Sequence, residues 1–269
     1  MASPNQINVS QLQRLIGTTQ CPIIVDVRID EDFAQHPLLI PTAQRCQYQK
    51  IEQMAQQVAG TSVVVYCHKG LKLSEGAAAI LRSLGVQAEV LKGGMLAWIE
   101  AGAPCIESAK LPLATARGNT LWVTKARPKI DRIACPWLIK RFIDPNAQFL
   151  FVPASQVSAV AEKFHAIPFD IPDTSYSHRN ELCTFDVLLD EFKLESPALR
   201  HLARIIRGAD TNALELTAQS SGLLAIALGF SRIYKDDLEQ LEHSLCIYDA
   251  LYRWCRDAVD EQHQSLNTQ

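Results

Sequence analysis

The sequence predicts an α/β domain, a parallel sheet with helices on both faces, followed by a mostly helical α+β domain. Two observations carry this. Short apolar runs alternate with helical periodicity through about residue 101, the pattern of strands buried on both faces. Then comes AGAPCIESAKLPLATARG (101–118), rich in Ala and Pro and without periodicity, beyond which helical patterns dominate. A chain of 269 residues suits two domains of ordinary size. We assign 1–108 to the first, 109–118 to a linker and 119–269 to the second.

In chain order, Ser10-Gln11-Leu12-Gln13 has capping-box spacing and predicts a short helix with Leu12, Leu15 and Ile16 on one face. Strands are predicted at 23–27, 63–66 and 88–91, with helices at about 51–58, 74–84 and 94–101. In the second unit 121–124 predicts a strand, and Pro136, at a first helical turn, opens a helix that Asp144-Pro145 ends. Residues 149–152 predict a strand, 154–164 a helix and 167–170 a short strand. Helices follow at 184–192, at 196–207 opened by Ser196-Pro197, at roughly 217–230 and at about 234–259. On the last, Leu238, Leu241, Leu245, Tyr248 and Tyr252 form a stripe that either packs on its own domain or makes a homodimer seam.

Composition bounds the function. Hydrophobic residues make up 48% of the chain and charged residues 20%, enough to fill two cores and too little charge for a disordered chain. A net charge of −3 and a pI near 6.2 provide no global field for nucleic acid or an anionic membrane. There is no 18-residue apolar run, and MASPNQINVS lacks the basic and apolar character of a signal peptide, so a cytoplasmic location is expected. The eight cysteines contain no CxxC pair, which favours reduced thiols over disulfides. No Walker loop, GxGxxG or serine-nucleophile motif is present.

The most informative stretch is VVVYCHKGLKLSEGAAAILRSLGVQAEVLKGGMLAW, 63–98. A buried strand delivers Cys67 into a short loop ahead of a helix. A thiol there meets unpaired backbone N–H groups and the positive end of the helix dipole, which favour a thiolate. His68, Lys69 and Lys72 add cationic character, and Gly70 lets the backbone turn so that amides point inward. Gly93-Gly94 reads as a turn into the next helix and not as a phosphate loop. Asp26 and Arg28 read as a structural ion pair holding loops.

VYC–x2–G, A-A-x-x-L-x-x-x-G and L-x-G-G-x-x-A-W, in that order, resemble the active-site half of a rhodanese, a single-domain sulfurtransferase. Ile24-Val25-Asp26-Val27-Arg28 is similar to the family's Asp-Val-Arg strand. HPLLIPTA, 36–43, is similar to its His-Ile-Pro-Gly-Ala segment, with two extra residues and Thr42 in place of Gly. The resemblance covers roughly 6–104. It implies that Cys67 accepts a sulfane sulfur as a persulfide and passes it from a small donor to a thiol acceptor without a cofactor. It also implies that residues 68–72 (His68, Lys69, Gly70, Leu71, Lys72) bind substrate, and that Asp26 and Arg28 brace the loop. The loop has the six-residue length used for sulfur. Lys72 stands where the family often has Arg, and a lysine lacks the guanidinium fork, which argues against thiosulfate as the preferred donor.

In the second unit a basic block lies between Lys110 and Arg141 and an acidic block between Asp170 and Glu195. The blocks either pair across the fold or face water, or they border an oxyanion site and supply ligands to a metal. KARPKIDRIACPWLIKRFIDPNAQFLFVP, FDIPDTSYSHRNELCTFDVLL, RGADT and YDALYRW, in that order over about 120–256, resemble the C-terminal domain of the chromate-resistance ChrB proteins. The resemblance implies one site containing Arg127, Asp131, Arg132, Trp137, His178, Cys183 and Asp210, and a link to the oxyanion chromate. A rhodanese in place of that family's usual N-terminal region argues against a DNA-binding role. His178-x4-Cys183-x2-Asp186 with Asp210 forms a carboxylate and imidazole set suited to Mn, Fe or Zn, and a thiolate from Cys183 would tilt it towards Zn or Fe. The structural alternative has Thr184 capping a helix, Cys183 buried beneath it and Asp186 satisfying amides. The functional expectation is a sulfurtransferase coupled to chromate or metal-stress resistance; its rival is a chromate or redox sensor with the Cys67 loop as thiol detector.

Overall fold

A computed structural model describes residues 5–116 and 118–261. Arg117, in the basic block, lies outside the described residues, as do the chain ends. The first domain runs β1 (Gln6–Ile7), α1 (Val9–Leu15), β2 (Ile23–Asp26), α2 (Asp30–Gln35), β3 (Leu38–Leu39), β4 (Gln44–Arg45), α3 (Ile51–Gln57), β5 (Ser62–Tyr66), α4 (Lys72–Ser83), β6 (Gln87–Leu91), α5 (Gly94–Glu100) and β7 (Ile106–Glu107). Five strands form a parallel sheet in the order β1-β6-β5-β2-β4. Alternation along β2 and β5 divides the core between two faces. Val25, Val63 and Val65 face α3 and α4 through Ile51, Met54, Ala78 and Leu81. Ile24, Val64 and Tyr66 share the other core with Leu12 of α1 and with Met95 and Trp98 of α5.

The first helix begins earlier than the Ser10 box predicts. Asn8 is its cap: Oδ1 accepts from Gln11 N at 2.9 Å, and Gln11 Oε1 accepts from Asn8 N at 2.9 Å. Asn competes for this position as well as Ser does, and its box partner falls three residues on.

The second domain continues with β8 (Leu121–Lys125), α6 (Ile130–Leu138), β9 (Gln148–Val152), α7 (Val157–Phe164), β10 (Ile167–Pro168), α8 (Thr184–Glu191), α9 (Pro197–Asp210), α10 (Ala218–Ile233) and α11 (Asp237–Asp257). Its three strands are parallel, ordered β10-β8-β9, and the remaining helices pack beyond them. Pro136 lies inside α6 instead of opening it. It has no N–H to donate, and the helix loosens three residues later into a π turn over Ile139–Ile143, where Asp144 N reaches back to Ile139 O at 2.8 Å.

One continuous apolar core joins the two domains. Gly17, at φ 79°, lies so close to Phe142 that an added Cβ would meet its ring at 2.4 Å. Thr42 adopts φ 65°, left-handed backbone that a glycine would take without strain, and its N–H donates to Phe142 O at 3.0 Å. The segment after α5 is also held: β7 pairs antiparallel with β3, and Leu111 packs against the core. Along α11, Leu241, Tyr248 and Tyr252 are buried within the chain and Leu238 is exposed, so most of the stripe serves the chain's own core.

Candidate functional site

β5 ends at Tyr66 and leaves Cys67 in the loop before α4, at the carboxyl edge of the sheet. Its Sγ accepts the Leu71 N–H at 3.4 Å and lies 3.2 Å from Ser74 Oγ. The Ser74 hydroxyl also reaches Leu71 O at 3.1 Å, so its one proton can serve the carbonyl or turn to a charged sulfur. The carbonyls of Cys67 and His68 accept from Met95 N at 3.0 Å and Leu96 N at 3.1 Å, at the start of α5. Because each peptide unit is planar and trans, a carbonyl drawn towards α5 turns the following N–H away from it. This approach requires two glycines. A Cβ on Gly70 (φ 66°) would meet Leu91 O at 2.6 Å, and one on Gly94 (φ 58°) would meet Cys67 O at 2.2 Å. The Gly93-Gly94 turn is therefore part of the loop's support, a role its sequence did not disclose.

His68 stacks on His36, with ring centroids 5.9 Å apart, and its Nδ1 is buried without a hydrogen-bond partner. Lys69, Leu71 and Lys72 are exposed around the loop. Asp26 and Arg28 form a fully buried pair, with Arg28 Nη2 2.6 Å from Asp26 Oδ2. The same guanidinium donates to His36 O at 2.9 Å and Leu38 O at 2.7 Å. It thus holds the segment that carries His36, and does not touch the sulfur.

The other thiols occupy different surroundings. Burial pushes Cys21, Cys105 and Cys255 up to about 11, and it also raises Cys46, Cys135 and Cys183. Cys246 is exposed. Cys67 Sγ has the Leu71 N–H and the Ser74 hydroxyl beside it to stabilise a thiolate, so brief iodoacetamide treatment of the folded protein at neutral pH should label Cys67 before those six, with Cys246 as the competitor. Peptide mapping that finds Cys21 or Cys46 alkylated as fast as Cys67 would refute a special environment for Cys67.

A second polar centre lies in the second domain. His178 Nε2 is 3.4 Å from Asp131 Oδ2, 3.4 Å from Asp170 Oδ1 and 3.2 Å from Asp210 Oδ2. Asp131 sits in the first turn of α6, Asp170 shortly after β10, and Asp210 at the last residue of α9. Thr184 N, at the start of α8, donates to Asp131 Oδ2 at 2.5 Å, and Arg132 Nε lies 3.2 Å from Asp170 Oδ2. The hydrogen bond to Asp131 holds His178 up at about 9, burial opposing and the surrounding carboxylates helping. Burial, followed by the charges of Asp131 and Asp170, lifts Asp210 to about 7; burial likewise raises Asp170.

The membership of this centre differs from the sequence expectation. His178, Asp131, Arg132 and Asp210 come together, and Asp170, which the sequence placed only among the acidic block, joins them. Asp186 instead serves the start of α8: Oδ2 accepts from Cys183 N at 3.2 Å and from Cys183 Sγ at 3.3 Å, while Oδ1 pairs with Arg207 at 3.3 Å. Cys183 is fully buried at the N-cap, and burial holds its thiol well above the ordinary range. Arg127 is elsewhere, its backbone N donating to Asp237 at 3.0 Å and its guanidinium to the carbonyls of Ser231, in the last turn of α10, and Tyr234, just after it. Trp137 lies in an aromatic core with Phe142, Phe185, Tyr248 and Tyr252, and its Nε1 donates to Asp249 at 2.8 Å. The charge blocks pair in part, through Lys110–Glu191 and Arg132–Asp170.

Comparison with known proteins matches both halves. Residues 8–101 match the family described as rhodanese-like domain, and residues 122–255 match the family described as ChrB, C-terminal domain. The chain is a rhodanese-like domain followed by a ChrB C-terminal domain. Over 132 residues, 49% of this chain, it is 33% identical to protein ChrB of Cupriavidus metallidurans, of which the match spans 39%. Over 103 residues, 38% of this chain, it is 26% identical to a sulfurtransferase of Allochromatium vinosum, of which the match spans 94%. Among solved structures it is similar to a rhodanese-related protein from Thermoplasma volcanium, at 21% identity and a TM-score of 0.33, covering 38% of this chain and 97% of that one. Among the described residues no helix is long and apolar enough to cross a membrane.

Proposed function

We propose that this protein is a sulfurtransferase that carries sulfur as a persulfide on Cys67, and that its second domain ties this chemistry to chromate or related metal stress. The observation that supports the first part is the Leu71 N–H donating to Cys67 Sγ at 3.4 Å, in a loop whose first carbonyls are drawn aside by α5. The Cys67 thiolate attacks the sulfane sulfur of a donor such as thiosulfate. An Sγ–S bond forms as the donor's S–S bond breaks, and sulfite leaves with the electron pair. An acceptor nucleophile, a thiolate or cyanide in an assay, then takes the outer sulfur and releases the Cys67 thiolate. Both steps conserve electrons, so neither needs an oxidant or cofactor. The link to chromate rests on kinship with the ChrB C-terminal domain.

Turnover of thiosulfate and of 3-mercaptopyruvate with cyanide as acceptor tests this reading. Repeated turnover with either donor is expected, whereas a thiol-based sensor would give a single stoichiometric reaction or none. Lys72, exposed at the first residue of α4, tunes the donor. Lys72→Arg should raise kcat/KM for thiosulfate, because a planar fork grips its divalent sulfonate end better than a point charge does. Lys72→Ala should raise KM for thiosulfate by roughly 2- to 5-fold, the scale of one exposed charged contact, with stability unchanged. Donor kinetics indifferent to both changes would remove Lys72 from donor binding.

A further inference from the structure

We infer that Asp131, Asp170, Asp210 and His178 form a binding site for one divalent transition-metal cation in the second domain, separate from the sulfur chemistry at Cys67. Asp131, Asp170 and His178 offer ligand atoms that all lie within 4.8 Å of one another. Donors around a single cation at about 2.0–2.2 Å lie no more than roughly 4.4 Å apart, so a small adjustment closes the shell. The Asp210 carboxylate already lies 3.2 Å from the same His178 nitrogen.

Hydrogen bonding within the group does not account for it. Three carboxylates converge on Nε2, yet one imidazole nitrogen carries one proton and directs it to one oxygen. Arg132 engages the outer oxygen of Asp170 and so orients that carboxylate while its inner oxygen faces His178. The independent observation is Asp131 Oδ1. The Asp131 side chain is 1% exposed, and Oδ1 is buried with no hydrogen-bond partner, although Oδ2 has Thr184 N and His178. A buried anionic oxygen left without a donor is unfavourable, and a cation is the partner that a carboxylate lone pair lacks here. His178 is 39% exposed and Asp210 19%, so one side of the group is open to a metal and to water that completes its shell.

The donor chemistry narrows the cation. One imidazole with carboxylate oxygens suits Mn2+ or Fe2+ and accommodates Zn2+. The thiolate that would favour Zn2+ is missing from the set, because Cys183 Sγ is turned to Asp186. The ligands come from three separate stretches of the chain, α6, the segment after β10 and the end of α9, so one cation would tie all three together.

The test uses the full-length protein, stripped with chelator, and Mn2+ as probe. Loss of the free Mn2+ paramagnetic resonance signal during titration should show one equivalent bound. His178→Ala removes a partly exposed side chain and Asp170→Asn keeps the shape of its carboxylate; each should weaken Mn2+ binding by at least about 10-fold, the scale of losing one ligand or its support. Competition should show Zn2+ displacing Mn2+ from the same site. Sulfur transfer by His178→Ala should match the unaltered protein, so a failure at Cys67 and a failure at this centre remain distinguishable. Unchanged Mn2+ affinity in both variants, or no saturable binding by the folded unaltered protein at millimolar Mn2+, would overturn the assignment.

Discussion

Cys67→Ser is expected to reduce sulfur transfer by a factor on the order of 10^4 or more, the scale on which removal of an essential nucleophile acts. The hydroxyl fits the same space but ionises far less readily than a thiol and forms no persulfide. Its fold should be intact, because the polar neighbours, Leu71 N and Ser74 Oγ, can hydrogen bond oxygen as they do sulfur. Near-normal turnover by this variant, with circular dichroism and melting unchanged, would move the chemistry away from Cys67.

The largest expected effect on stability follows from Arg28→Ala. Asp26 and Arg28 side chains are both fully buried, and the arginine spans the carboxylate and the carbonyls of His36 and Leu38. Truncation leaves the Asp26 carboxylate in the interior with the Arg28 backbone N–H at 3.0 Å. Breaking one side of a buried pair costs about 3–5 kcal/mol. In a chain of this size that corresponds to a fall in Tm on the order of 10 °C. Replacing both partners, Asp26→Leu with Arg28→Met, should cost less than Arg28→Ala alone, because no uncompensated charge is left inside. Denaturant melts in which Arg28→Ala lies within about 1 kcal/mol of the unaltered protein would contradict the bracing role.

The first domain was legible because each of its signals is local. The apolar run before Cys67, the glycine after it and the Ala-rich helix that follows specify a strand, loop and helix within one short stretch, and β5 and α4 lie there. What escaped was long-range: the amides of Met95 and Leu96 meeting the Cys67 loop, and the His36 ring against His68, depend on how the sheet twists and not on neighbouring residues. The second domain was less legible for the same reason. His178, Cys183 and Asp186 are close in sequence, and that proximity suggested a shared site. The helix start at Thr184 points Asp186 back to Cys183 N, while Asp170 reaches His178 through the bridge between Phe169 and Tyr176. Asp170 at φ 53° is the kind of backbone excursion that no side-chain pattern announces. Pro136 misled because proline favours a first turn, and here it lies in the interior of α6, which passes into a π turn over Ile139–Ile143.

The central claim is that sulfur resides on Cys67, and mass spectrometry of the protein after incubation with thiosulfate or 3-mercaptopyruvate measures it directly. The predicted result is the addition of one sulfur atom per chain, located on the peptide containing Cys67 and removed by cyanide with release of thiocyanate. An unmodified Cys67 with either donor, or sulfur spread evenly over Cys21, Cys46 and Cys246, would contradict it.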